Sequence, residues 1–148
     1  DLAFWTLDFP RVEKVVAHLN PGEGMEVEDS ASLMLWVENG PVISIDLSWS
    51  LLAEKDQHHL QLLGTHGAAS ISPLSVYKET EHGLLDLTPQ LAPGRENLYT
   101  ASYRRVLNDF VRSVRTRTPI ALPREQVNLM RVIEAAYRSA REGRVVEV

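Results

Sequence analysis

The run Ala31-Ser-Leu-Met-Leu-Trp-Val-Glu38, the turn Asn39-Gly40-Pro41 and the run Val42-Ile-Ser-Ile-Asp-Leu-Ser-Trp49 decide the fold of this chain. Asn-Gly tolerates the positive φ angles that a tight hairpin turn requires, and Pro41 cannot donate to a ladder. Side chains on a strand leave alternately to its two faces. Ala31, Leu33, Leu35 and Val37 therefore point one way, with Ile43, Ile45, Leu47 and Trp49 on the matching side of the second run. Ser32, Met34, Trp36 and Glu38 point the other way, with Val42, Ser44, Asp46 and Ser48. One face is apolar and the other is mixed.

Outward from this hairpin the same period continues. Val15–Leu19 is a short apolar run closed by Asn20-Pro21-Gly22. Downstream, His58–Gly64 places Leu60 and Leu62 on one face and His59, Gln61 and Leu63 on the other. Gly64-Thr65-His66-Gly67 turns the chain into Ala68–Ser72, and Ser75–Lys78 extends the sheet. Residues 79–97, punctuated late by Pro89, Pro93 and Gly94, read as a long surface connection. The period then changes to that of a helix. Asn97 is a candidate N-cap, and Tyr99, Tyr103, Val106, Leu107, Phe110, Val111 and Val114 follow with i, i+3, i+4 spacing. Pro119 ends this helix. Pro123 and Glu125 open a second, whose stripe is Val127, Met130, Ile133, Ala136, Tyr137 and Ala140, with Gly143 as its stop. Val145–Val148 reads as a closing strand. The pattern predicts an α+β fold: an open-faced, mainly antiparallel sheet with two C-terminal helices packed on one face, a two-layer sandwich. The helices are expected to bury the Leu33, Leu35, Ile43, Ile45 and Leu47 side.

The other face carries Met34, Trp36, Val42 and Leu63 among Ser44, Asp46 and Gln61. That mixture is too apolar for a bare solvent face and too polar for a core. It fits sheet-to-sheet packing against another chain, so these seven residues are the expected homodimer interface.

The 148 residues suit one domain, which at this length buries roughly 70% of its unfolded surface. The composition, 44% hydrophobic and 24% charged, excludes a disordered or collagenous chain. With no cysteine, thiolate metal sites, Cys nucleophiles and dithiol redox chemistry are excluded. No apolar run approaches the ~18 residues of a bilayer span, and no basic-then-apolar signal-peptide pattern occurs in these residues. The chain is read as cytoplasmic, with no membrane partner. It begins at Asp1 rather than Met, as a fragment of a longer protein would. The formal charge of −5 is unevenly spread: residues 1–96 hold five Lys+Arg against fifteen acids, and residues 97–148 hold ten Arg against five. The acidic part would repel a phosphate backbone, and no aromatic-basic interleaving occurs, so no nucleic-acid partner is expected.

Motifs with chemistry are few. Gly22-Glu23-Gly24 begins like a dinucleotide fingerprint, but Val27 stands at the third glycine and a strand follows, leaving no helix N-terminus for a pyrophosphate. His58 and His59, as strand neighbours, leave on opposite faces and cannot share an ion; His18, His66 and His82 read as surface or turn residues, so no metal site is assigned. Asp1, Trp5 and Asp8 fall at i, i+4 and i+7 and would share one helix face.

Together these segments resemble the C-terminal domain of the Gfo/Idh/MocA family of NAD(P)-dependent oxidoreductases. Asp1–Asp8 resembles the family's D-x-G-x-H-x-x-D segment, Glu28 through Trp49 its central hairpin, and Leu63-Gly64-Thr65-His66-Gly67-Ala68 its G-T-x-G turn. Tyr103 to Val111 and Val132–Ala140 with Gly143-Arg144-Val145-Val146 resemble its closing helix–helix–strand. The resemblance implies that residues 1–148 form a single substrate-binding and oligomerisation domain, with the N-terminal Rossmann domain absent. NAD or NADP is then implied for a full-length parent and none is bound by this chain, which alone is inactive. It implies a small sugar- or polyol-like substrate, with Asp1 as the catalytic-site carboxylate and Trp5 and Asp8 beside the substrate. The family's W-x-x-G after the second Asp is missing, and the first segment departs at two positions. Ala3 replaces the family's glycine, and Trp5 occupies its histidine position, where indole cannot relay a proton. The alternative is therefore a non-catalytic ligand-binding or assembly module that has lost the catalytic His.

Overall fold

The hairpin forms in the register its alternation dictates. A computed structural model describes residues 1–90, 97–119 and 124–148; the expected roles of Pro93, Gly94 and Pro123 lie outside those residues. In chain order the elements are α1 (Leu2–Thr6), β1 (Val12–Pro21), β2 (Glu28–Val37), β3 (Val42–Ser48), β4 (Leu60–Gly64), β5 (Gly67–Ile71), β6 (Ser75–Thr80), β7 (Gly83–Asp86), α2 (Leu98–Thr116), α3 (Glu125–Glu142) and β8 (Val146–Glu147). Asn39 and Gly40 both take positive φ, 65° and 100°, between β2 and β3. The fold is α+β with antiparallel strands and two C-terminal helices, as the pattern predicts. The strands form two four-stranded sheets rather than one, ordered β3-β2-β1-β8 and β4-β5-β6-β7. The chain accordingly divides into two units, Asp1–Lys55 with Pro123–Val148, and Asp56–Leu122.

In the first unit a single row of side chains crosses every strand. Val146, Val15, Leu35 and Ile43 are consecutive Cα partners, and all four are buried. Helix α3 lies against this row through Val132, Ala135, Ala136 and Ser139, and Phe4 of α1 joins the same core. The buried face of α3 is therefore turned roughly a third of a turn from the predicted stripe. Val127, Met130, Ile133 and Tyr137 are 40–60% exposed. Small side chains explain the rotation: Ala135, Ala136 and Ser139 let the helix axis approach the sheet, which Met130 or Tyr137 would hold off. The core also stops earlier along β3 than the alternation suggests, for Leu47 and Trp49 are exposed.

In the second unit β4–β7 form a meander of antiparallel neighbours. Strand β7 lies within the segment expected to be a surface connection. Its turn at Glu81-His82 contains no Gly-Pro pair; it is closed by Thr80 Oγ1, which donates to the Gly83 carbonyl at 2.8 Å and accepts from the His82 N–H at 3.3 Å. Strand β4 starts at Leu60, so His58 and His59 precede it instead of lying in it. Thr65-His66 is the two-residue turn between β4 and β5. Gly67 is required there by close approach: a Cβ at this position would lie 2.4 Å from the Tyr77 carbonyl oxygen on β6. Gly67→Ala must separate two paired strands, and a loss of about 1–3 kcal/mol is expected in urea unfolding. An unchanged midpoint would refute that close approach.

Helix α2 has the predicted N-cap, with Asn97 Oδ1 accepting the Tyr99 N–H at 2.8 Å. It stops before Pro119, at Arg117, which takes a left-handed φ of 52°. Its apolar stripe, expected to cover a sheet, is exposed from 43% at Val111 to 70% at Tyr99. Periodicity identifies the apolar side of a helix, whereas burial needs a surface of matching shape.

Candidate functional site

Helix α1 is one turn of five residues, and its two faces differ sharply. Phe4 is 5% exposed in the core, and Trp5 is 66% exposed. Neighbouring helix residues diverge by ~100°, so one cannot follow the other inward. Asp1 is the N-cap residue, its carbonyl accepting the Trp5 N–H at 2.9 Å. Its side chain makes no capping bond; instead Oδ1 accepts from Gln126 Nε2 of α3 at 3.0 Å. The first turn of α3 thus holds the Asp1 carboxylate, one helical turn ahead of the exposed Trp5. No signal in the sequence singled out Gln126, because its partner lies 125 residues away.

Asp8 does not share this face. The helix ends at Thr6, and Asp8 and Phe9 both take positive φ, 59° and 51°. The Asp8 N–H donates to the Trp5 carbonyl at 3.2 Å and the Phe9 N–H to the Phe4 carbonyl at 2.7 Å. These paired bonds are those of a Schellman stop, with Asp8 in the left-handed position that Asp tolerates better than most residues. The i+7 argument fails because it assumes two helical turns where one exists.

The expected interface residues divide between the two sheets. Met34, Trp36, Val42, Ser44 and Asp46 share the face of the first sheet opposite α3. There Trp36 is the partner of Val42, and Met34 that of Ser44. Met34 and Val42 are 41% and 52% exposed. Asp46 accepts a hydrogen bond from Ser32 Oγ at 2.7 Å. Gln61 and Leu63 lie on β4 of the second sheet, both exposed.

The remaining polar groups are structural in character. Tyr137 of α3 donates to the Glu28 carboxylate at the start of β2. That bond holds the Glu28 carboxyl below its ordinary value and pushes the Tyr137 hydroxyl above its own. His66 Nδ1 lies 3.3 Å from Glu79 Oε2, both largely exposed. Among the described residues no three His, Cys, Asp or Glu side chains converge on a metal position, and no helix is long and apolar enough to cross a membrane. The Gly22–Gly24 segment does not fit a dinucleotide. The Met25 N–H closes the turn on the Gly22 carbonyl at 3.0 Å, and the strand β2 follows at Glu28. A pyrophosphate cradle needs a helix to start there.

An antiparallel sheet backed by a helix whose chain returns as a short strand beside β1 makes this an open-faced α+β fold. The oxidoreductase domain protein from Kribbella flavida superposes with a TM-score of 0.82 at 15% identity, over 100% of this chain and 47% of that one. GenD2 from gentamicin A biosynthesis, solved in complex with NAD, gives 0.71 at 26% identity over 99% and 44%. The aldose-aldose oxidoreductase from Caulobacter crescentus, solved with glycerol, gives 0.69 at 22% over 99% and 44%. This chain thus spans less than half the length of each. Comparison with curated proteins yields no match. The chain belongs to the Gfo/Idh/MocA oxidoreductase family: the profile of the family's C-terminal alpha/beta domain matches residues 1–148.

Proposed function

We propose that this chain is the substrate-binding half of a cytoplasmic NAD(P)-dependent oxidoreductase acting on a sugar- or polyol-like substrate, its nucleotide held by a separate Rossmann domain. The pairing that carries this reading is the Asp1 carboxylate, held by Gln126 at 3.0 Å, with the exposed Trp5 four residues on along the same short helix. A carboxylate accepts hydrogen bonds from vicinal hydroxyls, and an indole face stacks on the C–H side of a sugar ring. Family membership supports it, as do the NAD complex of GenD2 and the glycerol complex of the aldose-aldose enzyme.

In the protein carrying both halves, Asp1→Ala is expected to lower kcat/KM for polyol oxidation about 10–100-fold, the range of one lost charge-assisted hydrogen bond. Undiminished turnover would remove Asp1 from the site. Residues 1–148 alone should show no heat of NAD(H) binding in calorimetry, and measurable binding would contradict the division of labour.

One observation favours a second reading. Trp5 stands where the family's proton-relaying His belongs, and it is open to solvent instead of filling the core. In that reading the protein is a non-catalytic ligand-binding or assembly module. NAD-linked turnover by the unmodified protein would exclude it; turnover appearing only with Trp5→His would establish it.

The open face of the first sheet is read as the homodimer contact, through Met34, Trp36, Val42, Ser44 and Asp46. Desolvated charge at the centre of an interface costs several kcal/mol. Met34→Lys with Trp36→Lys is expected to shift the sedimenting species from dimer to monomer; an unchanged mass would place the contact elsewhere.

A further inference from the structure

A recess of about 350 Å³ opens beside α1 and the first half of α3. Its floor is hydrocarbon: Phe4, Val12 and Val132 line it, each only 5% exposed. Its rim is cationic: Arg11 precedes β1, and Arg131 projects from α3 beside Asn128. Arg131 Nη1 donates to Asn128 Oδ1 at 3.3 Å, which braces one guanidinium at the mouth. Glu38 approaches Arg11 only at the main chain, accepting its N–H through Oε1 at 3.2 Å. Among the described residues neither guanidinium has a carboxylate within ion-pair distance. Two arginines without an ion-pair partner among the described residues thus stand at the edge of a desolvated apolar floor. The recess is distinct from the Asp1–Trp5 face, since Phe4 and Trp5 leave α1 in different directions.

We infer that this recess binds a small monocarboxylate with an apolar or aromatic body, its carboxylate gripped by Arg11 and Arg131 and its hydrocarbon part seated on Phe4, Val12 and Val132. Guanidinium is the side chain best matched to a carboxylate, through two parallel N–H donors. The pocket has the size and lining of a small-molecule site, mostly apolar with a few placed polar groups. A bare inorganic anion would leave the floor unfilled. A neutral molecule would gain nothing from either guanidinium charge.

Titration of the 148-residue chain with phenylacetate, followed in amide ¹H–¹⁵N correlation spectra, tests this. Saturable shifts are expected at Val12, Asn128 and Val132. Phenylacetamide, the neutral isostere, should bind at least about tenfold more weakly, as should phenylacetate to Arg131→Gln or Arg11→Gln; loss of a charge-assisted hydrogen bond has that size. Unchanged amide positions away from the recess verify that each variant is folded. Three results would overturn the inference: no saturable shift at these amides, equal binding of phenylacetamide, or inorganic phosphate binding as tightly as phenylacetate. The isostere comparison needs no variant, so a folding defect cannot leave the question open.

Discussion

Leu35→Ala is expected to destabilise the first unit by about 3–5 kcal/mol, the upper range for a leucine deleted from a rigid site. Leu35 is 0% exposed on the strand between β1 and β3. Its Cα partners are Val15, also 0% exposed, on one side and Ile43 on the other. Collapse around the lost atoms is restricted from three directions. The ladders fix the flanking strands, and α3 is already seated on small residues that cannot move closer. Both transfer free energy and cavity therefore count in full. Urea unfolding should show a lower midpoint with an unchanged slope, because the surface exposed on unfolding barely differs. A loss below about 1.5 kcal/mol would mean that the helix can settle into the gap.

Ser139→Ala should cost about 2–4 kcal/mol, far more than its single oxygen atom suggests. Ser139 is 0% exposed, and its hydroxyl joins two main-chain groups. It accepts the Ala17 N–H at 3.0 Å and donates to the Arg144 carbonyl at 2.6 Å. Strand β8 pairs with β1 only at Lys14 and Val15. The Ala17 N–H therefore lies beyond the end of that partner, and the Ser139 hydroxyl takes the strand's place. Removing it leaves a donor and an acceptor without partners, each at a cost of about 1–3 kcal/mol. Hydrogen exchange should report the difference locally, with the Ala17 amide losing protection before its neighbours. Ser139→Gly, which also lacks the hydroxyl, should behave no better. A fully stable Ser139→Ala protein would show that water replaces the hydroxyl.

Much of the sheet was legible in the residues themselves. Alternation in Ala31–Trp49 set which side chains face inward, and Asn39-Gly40 set the turn, because both are local consequences of backbone geometry. Asn97 and Gly143 marked helix ends for the same reason. Three features were not legible. The rotation of α3 depends on how closely Ala135, Ala136 and Ser139 permit approach, which a hydrophobicity pattern does not weigh. Strand β7 is announced by a Thr80 side-chain bond instead of a Gly-Pro pair. The face assigned to Asp8 fails because a positive φ at that residue ends α1 early.

The candidate site divides in the same way. Asp1 and Trp5 were visible as a one-turn pair, and their resemblance to a family segment named them. What holds Asp1 is Gln126, 125 residues distant in the chain. What joins Arg11 to Arg131 over a common floor is the seating of α3 against β1 and α1. By itself the sequence determined strand period, turn positions, helix ends and family, since each depends on the conformational preferences of a few adjacent residues. Only the tertiary structure decided which helix face is buried, which main-chain groups need Ser139 and which two arginines share one recess. Those are properties of distances between segments, and packing sets them.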